Sequence, residues 1–142
     1  MRKLKLEVKL STGAKLPTKA HDWDAGFDLY SRDNDKVVRG GSFATFDTGV
    51  HIAIPKGYCG FLKSKSGLNV KHDITSDGVI DAGYTGSIVV KLYNHGETDY
   101  VVKNGDKITQ LVILPVPKCE LVEVDELGGT ERGDRGFGSS GR

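Results

Sequence analysis

"YVVKNGDKITQLVIL", Tyr100 to Leu114, places an apolar run on each side of Asn104-Gly105. Asn-Gly readily adopts the positive φ angles of a tight chain reversal, so the stretch predicts a β-hairpin. The same pattern extends outward in both directions. Leu4, Leu6, Val8 and Leu10 alternate with Lys3, Lys5, Glu7 and Lys9, the period of two expected of a half-buried strand. Further short runs are "FDLY", "FATF", "VHIAI", "YCGFL", "SIVVKLYN" and "CELVEV". Turn residues punctuate them at Gly40-Gly41, Pro55-Lys56-Gly57, Asn94-His95-Gly96 and Gly128-Gly129. Only Ser66 to His72 has room for a short helix, and nowhere is a 3.6-residue period sustained. Many short strands at regular spacing predict an all-β sandwich or barrel. There is no internal repeat and no domain-boundary linker.

The 142 residues are the usual size of one domain. With 37% hydrophobic and 27% charged residues, the chain reads as globular rather than disordered. A net charge of +1 argues against a general nucleic-acid binder, although a local basic pocket stays open. Cys59 and Cys119 form no C-x-x-C and read as two thiols in a reducing compartment. "MRKLKLEVKL" has no continuous apolar core of a secretory signal, and no run approaches the ~20 apolar residues of a spanning helix. The expectation is a cytoplasmic protein with no membrane partner.

"GFGSSG", Gly136 to Gly141, matches the G-x-G-x-x-G of dinucleotide-binding loops. That loop must open a helix, and only Arg142 follows, so the match is accidental. Two readings of the tail stand: plain disorder, or an arm that orders on a ligand. Arg132, Arg135, Phe137 and two hydroxyls favour a nucleotide clamp, in which glycine amides approach phosphates and the aromatic ring stacks on a base.

In "DGVIDAGYTGSIVVKLYN", Asp77 to Asn94, glycines 78, 83 and 86 surround Asp81. The stretch reads as a hairpin with an accessible backbone. Asp81 is either a turn residue or a general base that activates water. Tyr84 is either a buried strand tyrosine or a flat wall against a sugar. "LKSKSGLNV", Leu62 to Val70, is either a solvated loop or a phosphate-binding turn built from Lys63, Ser64, Lys65, Ser66 and Gly67. No Walker A pattern is present, and the four histidines lack metal-ligand spacing. Any metal should be a hard cation such as Mg²⁺, which needs few protein ligands when a triphosphate supplies oxygens.

In chain order, "DAGFDLYS" (Asp24–Ser31), "KSGL" (Lys65–Leu68), "GVIDAGYTG" (Gly78–Gly86), "GDKITQLVI" (Gly105–Ile113) and "RGDRGFGSSG" (Arg132–Gly141) resemble the five motifs of the homotrimeric dUTPase family. The resemblance implies a jelly-roll-like β-sandwich or barrel over residues 1–131, and a flexible C-terminal arm over 132–142 that closes over the active site. It implies a homotrimer with shared active sites, hydrolysis of dUTP to dUMP and diphosphate with Mg²⁺, and a role in limiting uracil in DNA while supplying dUMP for dTMP synthesis.

Carried over by position, the resemblance makes Asp81 the base that activates water at the α-phosphorus. Tyr84 packs on deoxyribose and rejects a 2′-hydroxyl. Gly78, Val79 and Ile80 read uracil through their backbone, and Val89 closes the pocket. Lys65, Ser66 and Gly67 hold phosphates with help from Gln110, and Asp28 orients waters on Mg²⁺. Arg132, Gly138, Ser139 and Ser140 close on the outer phosphates while Phe137 stacks on uracil. The chain departs from the family pattern at Lys65, where arginine is usual, which keeps the charge and loses the bidentate fork. Thr75 stands where some members carry a uracil-contacting asparagine. Two other readings of the same fold are a dCTP deaminase relative, which the fifth motif and the Asp81–Tyr84 pairing oppose, and a regulatory protein gated by nucleotide, which no inserted domain supports.

Overall fold

The computed structural model describes residues 3–138. Its strands are β1 (Glu7–Leu10), β2 (Gly26–Tyr30), β3 (Lys36–Val38), β4 (Phe43–Asp47), β5 (Val50–Ala53), β6 (Tyr58–Lys63), β7 (Ile74–Thr75), β8 (Asp77–Ile80), β9 (Val89–Asn94), β10 (Tyr100–Val102) and β11 (Lys107–Pro115). One helix, α1 (Ser66–His72), falls where the sequence left room for it. It ends on Asp73, whose φ of 57° closes the last turn in the left-handed region.

Two sheets face each other. One has the order β2-β11-β6-β8 and the other β4-β9-β7, while the pairs β1-β5 and β3-β10 complete the flanks. All recorded pairings are antiparallel. Leu29, Leu62, Ile80 and Leu111 from the first sheet meet Phe46, Ile74, Val90 and Leu92 from the second, all buried in one core. Alternation along each strand produces this: in β9, Val90, Leu92 and Asn94 point inward while Val89 and Tyr93 are exposed. The result is the expected β-sandwich.

β11 breaks the alternation, because Ile108 and Thr109 are both buried. The register to β2 shifts between Lys107 and Thr109, the signature of a bulge at Ile108. Thr109 avoids an unpaired hydroxyl by bonding the Lys63 carbonyl at 3.0 Å and the Ser76 hydroxyl at 2.7 Å.

Three sequence expectations are corrected. Lys103 to Asp106 does turn, with the Asp106 amide donating to the Lys103 carbonyl at 3.0 Å. However, β10 pairs with β3 while β11 pairs with β2 and β6, so no hairpin ladder forms. Gly105 has φ of 88° but Asn104 is not in the positive-φ region. A hairpin turn of the type that Asn-Gly favours needs both residues there, and other turns splay the strands. Likewise β8 and β9 belong to different sheets, so Asp81–Ile88 passes between layers instead of closing a hairpin. "CELVEV" forms no strand; Leu121, Val122 and Val124 are exposed, with Leu121 97% accessible. An alternating pattern without a neighbouring strand in the chain has nothing to pair with. The N-terminal run shows the same effect more mildly: β1 pairs with β5, yet Leu4, Val8 and Leu10 are exposed.

Candidate active site

β2, β11 and β6 lie side by side, and their register aligns Asp28, Gln110 and Lys63 in one row. Just beyond that row the chain leaves β6 through Ser64 and Lys65 into α1. Three of the segments singled out in the sequence therefore meet at one end of one sheet.

Asp28 is the electrostatic centre of this end. Its side chain is 8% exposed and paired with Lys65 at Oδ1 and with Lys107 at Oδ2, the latter at 3.4 Å. Gln110 Nε2 donates to the Ser64 carbonyl at 3.0 Å. Gln110 reaches across Gly26, where a Cβ would stand 2.7 Å from its Oε1. The Ser64 hydroxyl accepts from the Ser76 amide at 3.0 Å and donates to the Ser76 carbonyl at 3.2 Å. Lys65 is thus held at the head of α1, where Ser66 and Gly67 begin the helix, exposed, with first-turn amides that have no acceptor within the helix. The run read as solvated or phosphate-binding is a fixed turn with outward-facing donors. Lys107, Ser76 and Thr109 belong to this network and were not singled out in the sequence. Their partners lie 12 or more residues away along the chain, so no local pattern could reveal them.

The second group lies elsewhere. Among the described residues β8 is one edge of its sheet and pairs only with β6, through Gly60, Phe61, Leu62 and Lys63. An edge strand leaves alternate backbone N–H and C=O groups unpaired, available to a ligand. Gly78 sits against Leu62, where a Cβ would meet Cδ1 at 3.3 Å. Asp81 follows β8 directly and is exposed. The Tyr84 amide donates to the Asp81 carbonyl at 3.2 Å, and Gly83 supplies φ of 89° in the turn between them. Tyr84 is exposed, which removes the buried-tyrosine reading. Val89, also exposed, begins β9 on the other sheet, where it pairs with Asp47; β9 comes close to β8 without pairing.

These groups do not converge within one chain. Asp77 pairs with Lys63, level with Asp28, so Asp81 stands four residues further along β8. At ~3.3 Å per residue and ~4.8 Å per strand, with β8 three strands from β2, Asp81 and Asp28 are separated by about 19 Å. The described part of the fifth segment joins neither group. Arg132 donates to the Arg135 and Gly136 carbonyls, Arg135 donates to the Glu131 and Arg132 carbonyls, and Phe137 is fully exposed, with Gly138 at φ of 84°. Ser139 and Ser140 lie outside the described residues.

Among the described residues no three of His, Cys, Asp and Glu gather as a metal cage. The donor set fits only a cation whose ligands are mainly phosphate oxygens and water, with Asp28 as the one buried carboxylate at the basic end. No helix among the described residues is long and apolar enough to cross a membrane. Cys59, buried, and Cys119, exposed, are unpaired, as read from their spacing.

The dUTPase family model matches residues 12–141. A deoxyuridine 5′-triphosphate nucleotidohydrolase of Gloeobacter violaceus is 45% identical over 89% of this chain and 88% of its own. That of Clostridium tetani is 42% identical over the whole of both chains. That of Arabidopsis thaliana is 45% identical over 94% of this chain and 80% of its own. Among solved structures, the Staphylococcus bacteriophage 80alpha dUTPase with dUPNHPP superposes with a TM-score of 0.91 at 34% identity, over 97% of this chain and 99% of that one. A mutant dUTPase of phage phi11, solved with a structural Mg(II) ion, superposes with a TM-score of 0.80 at 31% identity over 87% and 98%. A match over nearly the full length, in sequence and in fold, places this chain in the dUTPase family.

Proposed function

We infer that this member of the family of deoxyuridine 5′-triphosphate nucleotidohydrolases hydrolyses dUTP to dUMP and diphosphate. The observation that carries the reading is the family match over residues 12–141, which takes in all five segments singled out above.

In this reading water attacks the α-phosphorus, its proton passes to the Asp81 carboxylate, and the bond from the α-phosphorus to the bridging oxygen breaks to release diphosphate. Asp81 suits the role because it stands exposed at the end of an edge strand, fixed by the turn to Tyr84. The unpaired backbone edge at Gly78, Val79 and Ile80 complements the donor and acceptor edge of uracil. A base with an amino group in place of a carbonyl leaves those groups mismatched, a strong discrimination in a tight site. Tyr84 offers a ring face to deoxyribose, and Val89 flanks the base. Lys65, with Ser66 and Gly67, presents ammonium, hydroxyl and amide donors to phosphate oxygens, and Gln110 braces that turn through Ser64. Mg²⁺ carried by the triphosphate would neutralise charge there when bound, with Asp28 accepting from its waters.

The separation of about 19 Å between Asp81 and Asp28 supports a site assembled from more than one subunit, since a general base must stand within ~3 Å of its proton or one water away. The exposed apolar residues of β1 and of Leu121–Val124 supply surface for such an assembly, which we assign as the family's homotrimer. The arm over 132–142, whose described part bonds to itself and to the adjacent Thr130 and Glu131, would close on the bound nucleotide through Arg132, Phe137, Gly138, Ser139 and Ser140. A cytoplasmic setting agrees with the two unpaired cysteines. Diphosphate release from dUTP, measured beside dTTP, dCTP and UTP, tests the reading. Turnover confined to dUTP is expected; equal turnover of dCTP or release of ammonia would overturn it.

A further inference from the structure

Tyr84 is exposed but its ring is fixed. The phenol donates to the Ser87 carbonyl at 2.8 Å. That bond holds the phenol end of the ring over Gly86, where a Cβ would stand 2.5 Å from the phenol oxygen and 2.7 Å from Cζ. Ser87 is itself anchored to a part of the chain 40 residues earlier. Its hydroxyl donates to Asp47 Oδ1 and accepts from the Gly49 amide at 3.1 Å; the same amide lies 3.0 Å from Asp47 Oδ1.

Arg32 fastens the far side. It stands 3.3 Å from Asp47 Oδ1 and donates to the Asp47 and Thr12 carbonyls, each at 2.9 Å. The Ser87 hydroxyl, the Gly49 amide and the Arg32 guanidinium hold the Asp47 carboxyl below the usual carboxylate range, so it remains an ionised acceptor. His51 Nδ1, 2.8 Å from the Thr85 carbonyl, pins the segment between Tyr84 and Ser87.

We propose that Asp47 and Ser87 are positioning residues that lock the Tyr84 ring and thereby set how strongly the enzyme rejects a ribonucleoside triphosphate. The proposal rests on the reading that Tyr84 faces the sugar. A ring tethered at its hydroxyl, lying over a glycine, cannot tilt to make room for a 2′-hydroxyl. Once Ser87 is released from Asp47, the carbonyl that holds the phenol moves with its loop, and the wall gives way. Among the described residues nothing in this network touches a phosphate-binding residue, so its loss acts on sugar selectivity rather than on triphosphate affinity in general.

The experiment compares kcat/KM for dUTP and UTP in Asp47→Ala, Ser87→Ala, Ser87→Thr and Tyr84→Ala, with hydrogen exchange followed across residues 81–88. The dUTP-to-UTP ratio should fall roughly three- to ten-fold in Asp47→Ala and in Ser87→Ala, as for one net hydrogen bond. It should stay near the parent value in Ser87→Thr, which keeps the hydroxyl. Combining Asp47→Ala with Ser87→Ala should cost no more than either alone, because both break one bond. Exchange across 81–88 should quicken in both alanine variants while the rest of the protein keeps its protection. An unchanged ratio in both, with a lowered ratio in Tyr84→Ala, overturns the proposal and spares the role of Tyr84. An unchanged ratio in Tyr84→Ala overturns the reading of Tyr84 and the proposal together. Unchanged exchange in Asp47→Ala overturns the anchor whatever Tyr84 does.

Discussion

If Asp81 and Lys65 serve one site from different subunits, two impaired proteins should make a more active one. Asp81→Asn removes the base and lowers turnover by about two to four powers of ten. Lys65→Ala removes a charge-assisted phosphate contact of about 1.5–3 kcal/mol, a loss of roughly ten- to hundred-fold in kcat/KM. Mixed in equal amounts and allowed to exchange, subunits combine at random. A given site draws Asp81 from one chain, which is intact in half the cases, and Lys65 from another, also intact in half. About one quarter of sites then carry both residues, so the mixture should reach about a quarter of parent kcat/KM, well above the mean of the two variants. A site built within one chain never recovers, because every chain carries one lesion. The separation of about 19 Å from strand register and spacing favours the first outcome. Diphosphate release at low dUTP reads the recovery, and native mass spectrometry reads the exchange. Complete exchange with no excess over the variants' mean would refute the reasoning.

Three further outcomes are expected. Light scattering should give a particle of three times 15.4 kDa, and a monomer would remove the shared site. Deleting residues 132–142 should leave thermal unfolding of the ligand-free protein unchanged, since the hydrogen bonds of Arg132 and Arg135 reach no further than the adjacent, exposed Glu131, yet should nearly abolish turnover; near-normal turnover would make the arm a passive tail. Asp47, lowered from the ordinary 3.8 chiefly by the Ser87 hydroxyl, contributes stability that is fully present above that value and is lost as pH falls through the lower folded-state value. Acid unfolding of Asp47→Asn followed by circular dichroism should therefore show a shallower pH dependence below pH 4 than the parent; identical profiles would remove Asp47 from the acid response.

What the sequence made legible follows from how local each signal is. Alternation marks strand faces, so β4, β5, β6, β9 and most of β11 could be read from their residues alone. The short helix was legible as the one stretch of "KSGLNVKH" without alternation. Pairing partners were not legible. Asn104-Gly105 announces a reversal, but whether the two arms pair depends on the φ of Asn104 and on Val102 and Ile108 entering the core from different sheets. "CELVEV" carries a strand's pattern without a strand's partner. The site divides in the same way. Lys65, Asp81 and Tyr84 stood out in their local sequence and Asp28 and Gln110 by resemblance to a family, whereas Asp47 and Ser87 are two ordinary polar residues until the fold sets them in contact across 40 residues.

The arm shows why a nucleotide enzyme of this kind would need the whole substrate before it closes. Ordering backbone costs roughly 1–2 kcal/mol per residue. Stacking Phe137 on a base returns about 1–3 kcal/mol, enough to hold no more than two or three residues. The arm begins at Arg132, so the base alone leaves closure unfavourable. Each charge-assisted hydrogen bond to a phosphate adds about 1.5–3 kcal/mol, and Arg132 with the following glycine amides and serine hydroxyls can make several. In the described structure the guanidinium of Arg132 is engaged with the Arg135 and Gly136 carbonyls, partners that phosphate oxygens would outbid by charge. On the proposed reading of the arm, closure would be favourable with a triphosphate and unfavourable with the monophosphate product. An arm that closes in this way would release once diphosphate has gone, and turnover would be coupled to the chain length of the phosphate rather than to the base alone.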